Sequence, residues 1–399
     1  MRRINILLFL YALTAIVCFD YENLTIIPKI FAGLLMVEYF VQTIHLKRSG
    51  KKMPWSWGSC CLLYFSMYSL ISFAFFPYDL TGESIINIMM IFLLSYILTR
   101  IVDNIKAFDM VLFGITVGLL VGFVFNVFIP QLDEFGRTGR YAGTLGNANL
   151  FSLMVNFCIS FLLQRYKLYS KFWRNLVLIF IVLAAHQVLM SGSKLGLLMY
   201  LFNILYLIFY IRVIRNITVL VFISILLIFL SGFFISNFMV DNNSEAFVRF
   251  QYLQDVFAGN RSYSDSDLLR YNLAVKGWDM WTQQPLFGWG YGAFVYLGGY
   301  DLYSHNNMIE LLANTGVIGF LLFHAALIQL IIMAYRSDIY RKNNIIWTCY
   351  FALMVIVSSF AIVLLGEKLF WLLYFTMVSY LNMHTIQREI PAMTVHQLN

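Results

Sequence analysis

The sequence predicts an all-α, polytopic membrane protein of about 12 transmembrane helices, with a large helical non-cytoplasmic loop before the tenth. Three observations carry this: composition, the spacing of apolar runs, and the placement of the basic residues. Of 399 residues, 61% are hydrophobic and 12% charged, and the mean hydropathy is +0.76. A soluble domain carries about 25% charged residues. With half that proportion no polar coat is left for a water-facing globule. This excludes a cytosolic enzyme, a disordered chain and a secreted disulfide scaffold.

Apolar runs fall at about 4–19, 26–44, 58–76, 84–99, 108–129, 148–164, 174–190, 195–211, 217–236, 307–334, 345–365 and 367–383. Most approach the roughly 20 residues a helix needs to cross a bilayer, and a helix satisfies its own backbone inside lipid. Met1-Arg2-Arg3 ahead of the first run looks superficially like a signal peptide. No small-x-small cleavage site follows, so the run is read as an uncleaved first span. The whole of 1–399 reads as one transmembrane domain.

Assigning the gaps alternately to two sides places about 18 of the 27 basic residues on one side with about four acids. That side holds Arg2 and Arg3, Lys47–Lys52, Arg100 and Lys106, Arg165–Arg174, Arg212 and Arg215, Arg336–Lys342, and Arg388. Lys and Arg in short loops mark the cytoplasmic side, so both termini are expected there. The net charge of +7 is then a topology signal, and nucleic acid is not expected as a partner.

Residues 237–306 form a non-cytoplasmic segment far longer than a connector requires. Within it, Glu245–Phe257 and Asp267–Gln283 have helical apolar spacing. Trp278, Trp281, Phe287, Trp289, Tyr291 and Phe294 load it with aromatics, which suit either a membrane interface or the faces of sugar rings. The five cysteines lie in or beside apolar runs without metal-ligand spacing. No acidic pair suggests a metal site, so neither metal nor cofactor is expected.

The residues with chemical potential gather at the outer face. His305 stands just before the tenth run, in Asp301–Met308. His45, His384 and His396 read as solvated, His324 as packed within a helix, and His186 lies near the outer end of the seventh run. Arg137 and Arg140 sit in a Gly-rich stretch, Lys194 opens the eighth run after Ser191-Gly-Ser, and Arg270 opens a stretch ending in Pro285–Gly290. Singly, each cation reads as an interface anchor. Together, beside glycines and helix starts, they suit an anion such as phosphate.

His305-Asn306, nine residues, then Gly316-Val-Ile-Gly319 resembles the His-Asn-x9-Gly-x-x-Gly signature of the bacterial O-antigen polymerase and ligase family. Pro285–Gly290 resembles that family's approach to the same histidine, and Gly143–Asn149 its Gly-x-x-x-Asn-x-Asn segment. Ser191–Gly196 is similar to its short motif at the outer end of a span, with Lys194 where arginine is usual. Lysine supplies a point charge where arginine offers a planar fork. The resemblance implies a glycosyltransferase of the bacterial inner membrane with its site on the periplasmic face. Its donor would be a glycan on undecaprenyl diphosphate and its acceptor a glycan, with a chain-length regulator as a further partner. Lys194, Arg270 and Arg140 would bind the diphosphate, His305 would be the general base, and Asn306 or Tyr303 would orient the acceptor or the imidazole. Polymerase is the expected member, from the Tyr303–Asn307 context and Lys194; ligase is the alternative. A lipid-linked glycan transporter competes through Glu38, an acid within the second run. The outward cations, which line no central path, argue against it. A non-enzymatic scaffold leaves the His-Asn signature without a purpose.

Overall fold

The computed structural model describes residues 2–18, 24, 26–48, 57–75, 88, 98, 101, 102, 105–128, 141–211, 265–300, 302–337, 341–364 and 367–386. The predicted spans over 84–99 and 217–236 fall almost wholly outside them. So do residues 237–264 of the long segment, Arg137 and Arg140. Among the described residues every regular element is helical: α1 Arg2–Val17, α2 Ile26–Arg48, α3 Trp57–Phe75, α4 Ile105–Phe128, α5 Ala148–Arg165, α6 Lys171–Met190, α7 Lys194–Leu205, α8 Asp265–Gln283, α9 Ala293–Leu297, α10 Asn307–Arg336, α11 Arg341–Ser358 and α12 Lys368–Ile386.

Four of these are long and apolar enough to cross a membrane: α4 with 24 residues, α5 with its following turn at 21, α6 at 20 and α10 at 30. Large apolar side chains also face outward in helical register, such as Ile30, Leu34, Val37, Val41 and Ile44 on α2 and Leu321, Ile328 and Ile332 on α10. Apolar stripes of this extent are a liability in water and ordinary in lipid. The protein is a multi-pass membrane protein.

Two compact units form: Met1–Tyr11, Lys29–Val111 and Asp265–Asn399 in one, Ala12–Pro28 and Leu112–Ser264 in the other. In the second, α5, α6 and α7 pack together around buried amides. Asn203 Nδ2 donates to Asn156 O and Oδ1, both at 3.0 Å, and Asn156 Nδ2 donates to Gly196 O at 2.9 Å. Such interhelical bonds in membranes average about 0.6 kcal/mol, so they specify register more than they stabilise. One end of this unit carries the turn around Lys167; the other joins Tyr141 N–H to Met190 O at 3.1 Å.

In the first unit, α3, α8, α11 and α12 pack on α10. Tyr68 meets Thr315 and Phe65 meets Phe323, so α3 and α10 run antiparallel. Tyr374 on α12 donates to Ala326 O at 2.8 Å, and the Trp371 ring lies 5.8 Å from that of Phe323.

Two elements differ from the sequence expectation. The run over 345–365 stops being helical at Ser358, where the Ser358 and Ser359 hydroxyls both donate to Val355 O at 2.9 Å. The Ser359 carbonyl accepts instead from Asn307 N–H, at 2.8 Å. The run over 307–334 is one helix by length but breaks at Gly316, whose φ of 62° and ψ of −169° are not helical.

Candidate active site

The break in α10 is filled by another segment of chain. In an unbroken helix the carbonyls of Ala313 and Asn314 would accept from the N–H groups of residues 317 and 318. Here they accept from Trp289 N–H and Gly290 N–H, both at 2.9 Å. Val317 N–H donates to Pro285 O at 2.9 Å and Ile318 N–H to Leu286 O at 3.3 Å. Pro285–Gly290 is thus inserted into the helix and satisfies the backbone groups that the break frees, as burial requires. The Tyr68 hydroxyl lies 3.0 Å from Phe287 O and 2.9 Å from Thr315 O, bridging both sides of the insertion. Asn314 Oδ1 accepts from Phe294 N–H at 2.7 Å, fixing the start of α9.

Glycine is required at the crossing. Gly288 and Gly316 have φ of 69° and 62°, a region that favours glycine. A Cβ on Gly288 would meet Asn314 C at 2.5 Å; one on Gly316 would overlap the Leu286 carbonyl. Below the lock, Leu273, Met280, Phe294 and Ala313 form a small core that seats α8 on α10.

This platform carries the segment Tyr303–Asn306. The Asn306 side-chain oxygen caps α10, accepting from Met308 N–H at 3.0 Å and Ile309 N–H at 3.3 Å. Its oxygen is therefore engaged in the cap, a role the sequence reading did not assign. His305 is 8% exposed and has a left-handed backbone, φ 54°. For a residue with a side chain that conformation is uncommon, and it collects at functional sites. The Tyr303 ring centroid lies 4.2 Å from that of the imidazole. His305 Nδ1 is buried with no hydrogen-bond partner among the described residues.

Burial, and then the positive charge of Arg270 on α8, push the His305 pKa down to about 4. The imidazole is accordingly neutral at physiological pH and able to take a proton. Arg270 is half-buried in the second turn of α8. The structure thus brings His305, Tyr303, Asn306 and Arg270 together in one unit.

Lys194 belongs to the other unit. It is exposed in the first turn of α7, directly after the helix cap Ser193, whose Oγ accepts from Gly196 N–H at 3.1 Å. A helix start adds positive potential to that of the lysine. Gly143–Asn149 lies in the same unit as a capping turn: Asn147 Oδ1 accepts from Asn149 N–H at 2.9 Å and Leu150 N–H at 3.1 Å. Gly143 N–H donates to Asn126 Oδ1 at 2.7 Å. His324 sits within α10, its ring nitrogen bonded to Phe320 O at 2.8 Å, and is a packed side chain as expected.

Sequence reasoning missed Ser304, Glu310, Asn314 and Tyr68. Glu310 is 6% exposed, and its Oε2 accepts from Ser304 N–H at 2.7 Å and lies 2.8 Å from Ser304 Oγ. A buried acid five residues beyond the histidine, in a chain with so few charges, was the available signal.

Residues 179–324 match the family model described as O-Antigen ligase, a range that includes Lys194, Arg270, His305 and Gly316. No curated protein matches the chain. Through residues 179–324, the chain is thus similar to the O-antigen ligase family.

Proposed function

We propose that the protein is a metal-independent, inverting glycosyltransferase of the outer leaflet that polymerises O-antigen repeat units carried on undecaprenyl diphosphate. It would be a single transmembrane domain of 12 spans in the bacterial inner membrane, with both termini cytoplasmic and the site on the periplasmic face. One observation carries the reading: a buried, neutral His305 whose Nδ1 has no hydrogen-bond partner among the described residues, beside the cation Arg270.

His305 takes the proton of the acceptor sugar hydroxyl. The hydroxyl oxygen bonds to the anomeric carbon of the donor from the face opposite the leaving group. The carbon–oxygen bond to the diphosphate breaks, its electron pair leaves with undecaprenyl diphosphate, and the anomeric centre inverts. Arg270 neutralises the charge that grows on the leaving group, and stabilising such developing charge is often what lowers the barrier most. Lys194 and Arg140 are assigned to the same diphosphate on their sequence motifs. Tyr303 and Asn306 are assigned to orienting the acceptor or the imidazole.

Ligase is the second reading, favoured by the description of the matching family model. Both activities need the same base and cations, so the gene deletion separates them. Loss of a polymerase leaves single repeat units on the lipid A core, one short band without a ladder. Loss of a ligase leaves bare core, with polymer retained on undecaprenyl diphosphate. The first outcome is expected. His305→Ala is expected to reproduce the deletion at normal protein level; a wild-type ladder in that variant overturns the proposal.

A further inference from the structure

The left-handed backbone of His305 persists only if its neighbours over-determine it. On its C-terminal side the cap by Asn306 and the bond from Asn307 N–H to Ser359 O fix the chain. On its N-terminal side the restraint is Ser304, whose N–H and Oγ both meet Glu310 Oε2 and whose Oγ also accepts from Asn306 N–H at 3.1 Å. Glu310 reaches back from the first full turn of α10 to hold the residue before the histidine. An acid that only complements a helix N-terminus can do so while exposed. Glu310 is buried, where a carboxylate is costly unless hydrogen-bonded.

We propose that Glu310 is a positioning residue that acts through Ser304 to hold the His305 imidazole in its reactive orientation. The inference rests on the reading of His305 as the base. Glu310 touches no substrate. Its two bonds close a loop from Ser304 to Glu310 around the histidine, so the orientation of the ring is tied to the rigid start of α10.

The test uses the full chain in lipid nanodiscs, as wild type, Glu310→Gln, Glu310→Ala and Ser304→Ala. Transfer is measured with undecaprenyl-diphosphate-linked repeat units isolated from the host strain. In parallel, diethyl pyrocarbonate labelling of His305, His186 and His324 is followed by mass spectrometry. The amide oxygen of glutamine can still accept from Ser304, so Glu310→Gln should keep kcat and the His305 labelling rate within about threefold of wild type. Misplacing a catalytic group by about 1 Å costs on the order of 10²-fold, so Glu310→Ala should lose about that much kcat with donor KM nearly unchanged. Its His305 should label at a clearly altered rate while His186 and His324 label as in wild type. Ser304→Ala, a gentler change, should fall between. Wild-type kcat and labelling in Glu310→Ala overturn the proposal, and so does labelling altered at all three histidines. Glu310→Gln as damaged as Glu310→Ala also overturns it. If wild type itself shows no transfer, the functional reading fails, and the His305 labelling still decides whether Glu310 holds the ring.

Discussion

Gly316→Ala is the most direct test of the platform beneath His305. At the Gly316 backbone angles, φ 62° and ψ −169°, an L-residue costs on the order of 1–3 kcal/mol. The new Cβ would overlap the Leu286 carbonyl and lie 2.6 Å from Phe287 N. All of these are backbone atoms, so no side-chain rotation relieves the contact. The inserted segment has to lift, and the bonds from Val317 N–H and Ile318 N–H to Pro285 O and Leu286 O are the first to go. A buried donor left without a partner costs about 1–3 kcal/mol, and with two such donors the local destabilisation comes to about 3–9 kcal/mol. At about 1.4 kcal/mol per decade, amide exchange at residues 285–290 and 313–318 should accelerate by about 10²–10⁶-fold. Hydrogen–deuterium exchange in detergent reads this directly, with α12 as the unchanged reference. Gly33→Ala on α2 is the control, since its Cβ meets nothing within 4 Å. Exchange in Gly316→Ala within tenfold (about 1.4 kcal/mol) of wild type, with full transfer activity, would refute the reasoning.

The remaining predictions concern the chemistry and the topology. Because burial and Arg270 hold the His305 pKa at about 4, kcat/KM should hold its plateau well below pH 6.5 and fall only as pH drops towards about 4 and the imidazole is protonated. In the residual activity of Arg270→Gln the acid limb should move up, yet stay below 6.5, since the larger cause, burial, remains; an unmoved limb would separate Arg270 from His305. His305→Ala should lose about 10²–10⁴-fold in turnover at unchanged protein level, measured by ladder formation. Lys194→Ala should abolish transfer and Lys194→Arg keep much of it; equal loss in both would point to a steric role for the lysine. An impermeant thiol reagent should label a cysteine placed at Asn260 from outside and miss one at Ser49, and the reverse would overturn the assigned orientation.

Much of the fold was legible because membranes impose simple rules. A chain with 12% charged residues has few ways to hide its backbone, and helices α2 and α3 begin within a residue of the apolar runs that announced them. The candidate site was legible where the proposed chemistry needs a residue type: His305 stands out as a titratable group at the start of a helix. The break in α10 was not legible. Glycine is common in membrane helices, and Gly316 followed by Val317 and Ile318 reads as continuous helix unless residues 285–290 are known to lie alongside. Nor was the left-handed backbone at His305, since nothing local demands it. It follows from bonds that Ser304, Asn306 and Asn307 make to Glu310, to the turns of α10 and to Ser359.

The two glycine motifs and the histidine are parts of one device. Glycines at 288 and 316 let two backbones cross where a Cβ would collide, so Pro285–Gly290 becomes part of α10. The crossing lies about nine residues, roughly 13 Å of helix, from the cap at Asn306. It fixes α8 through Met280 and Ala313, and α8 carries Arg270. On the proposed mechanism, a free loop could present a histidine and an arginine, but not hold their separation while charge moves between acceptor and leaving group. Electrostatic stabilisation helps only when the dipoles are in place beforehand. The nine-residue spacing between His305-Asn306 and Gly316 is therefore a length of rigid helix, set so that His305 and Arg270 are positioned by the same lock.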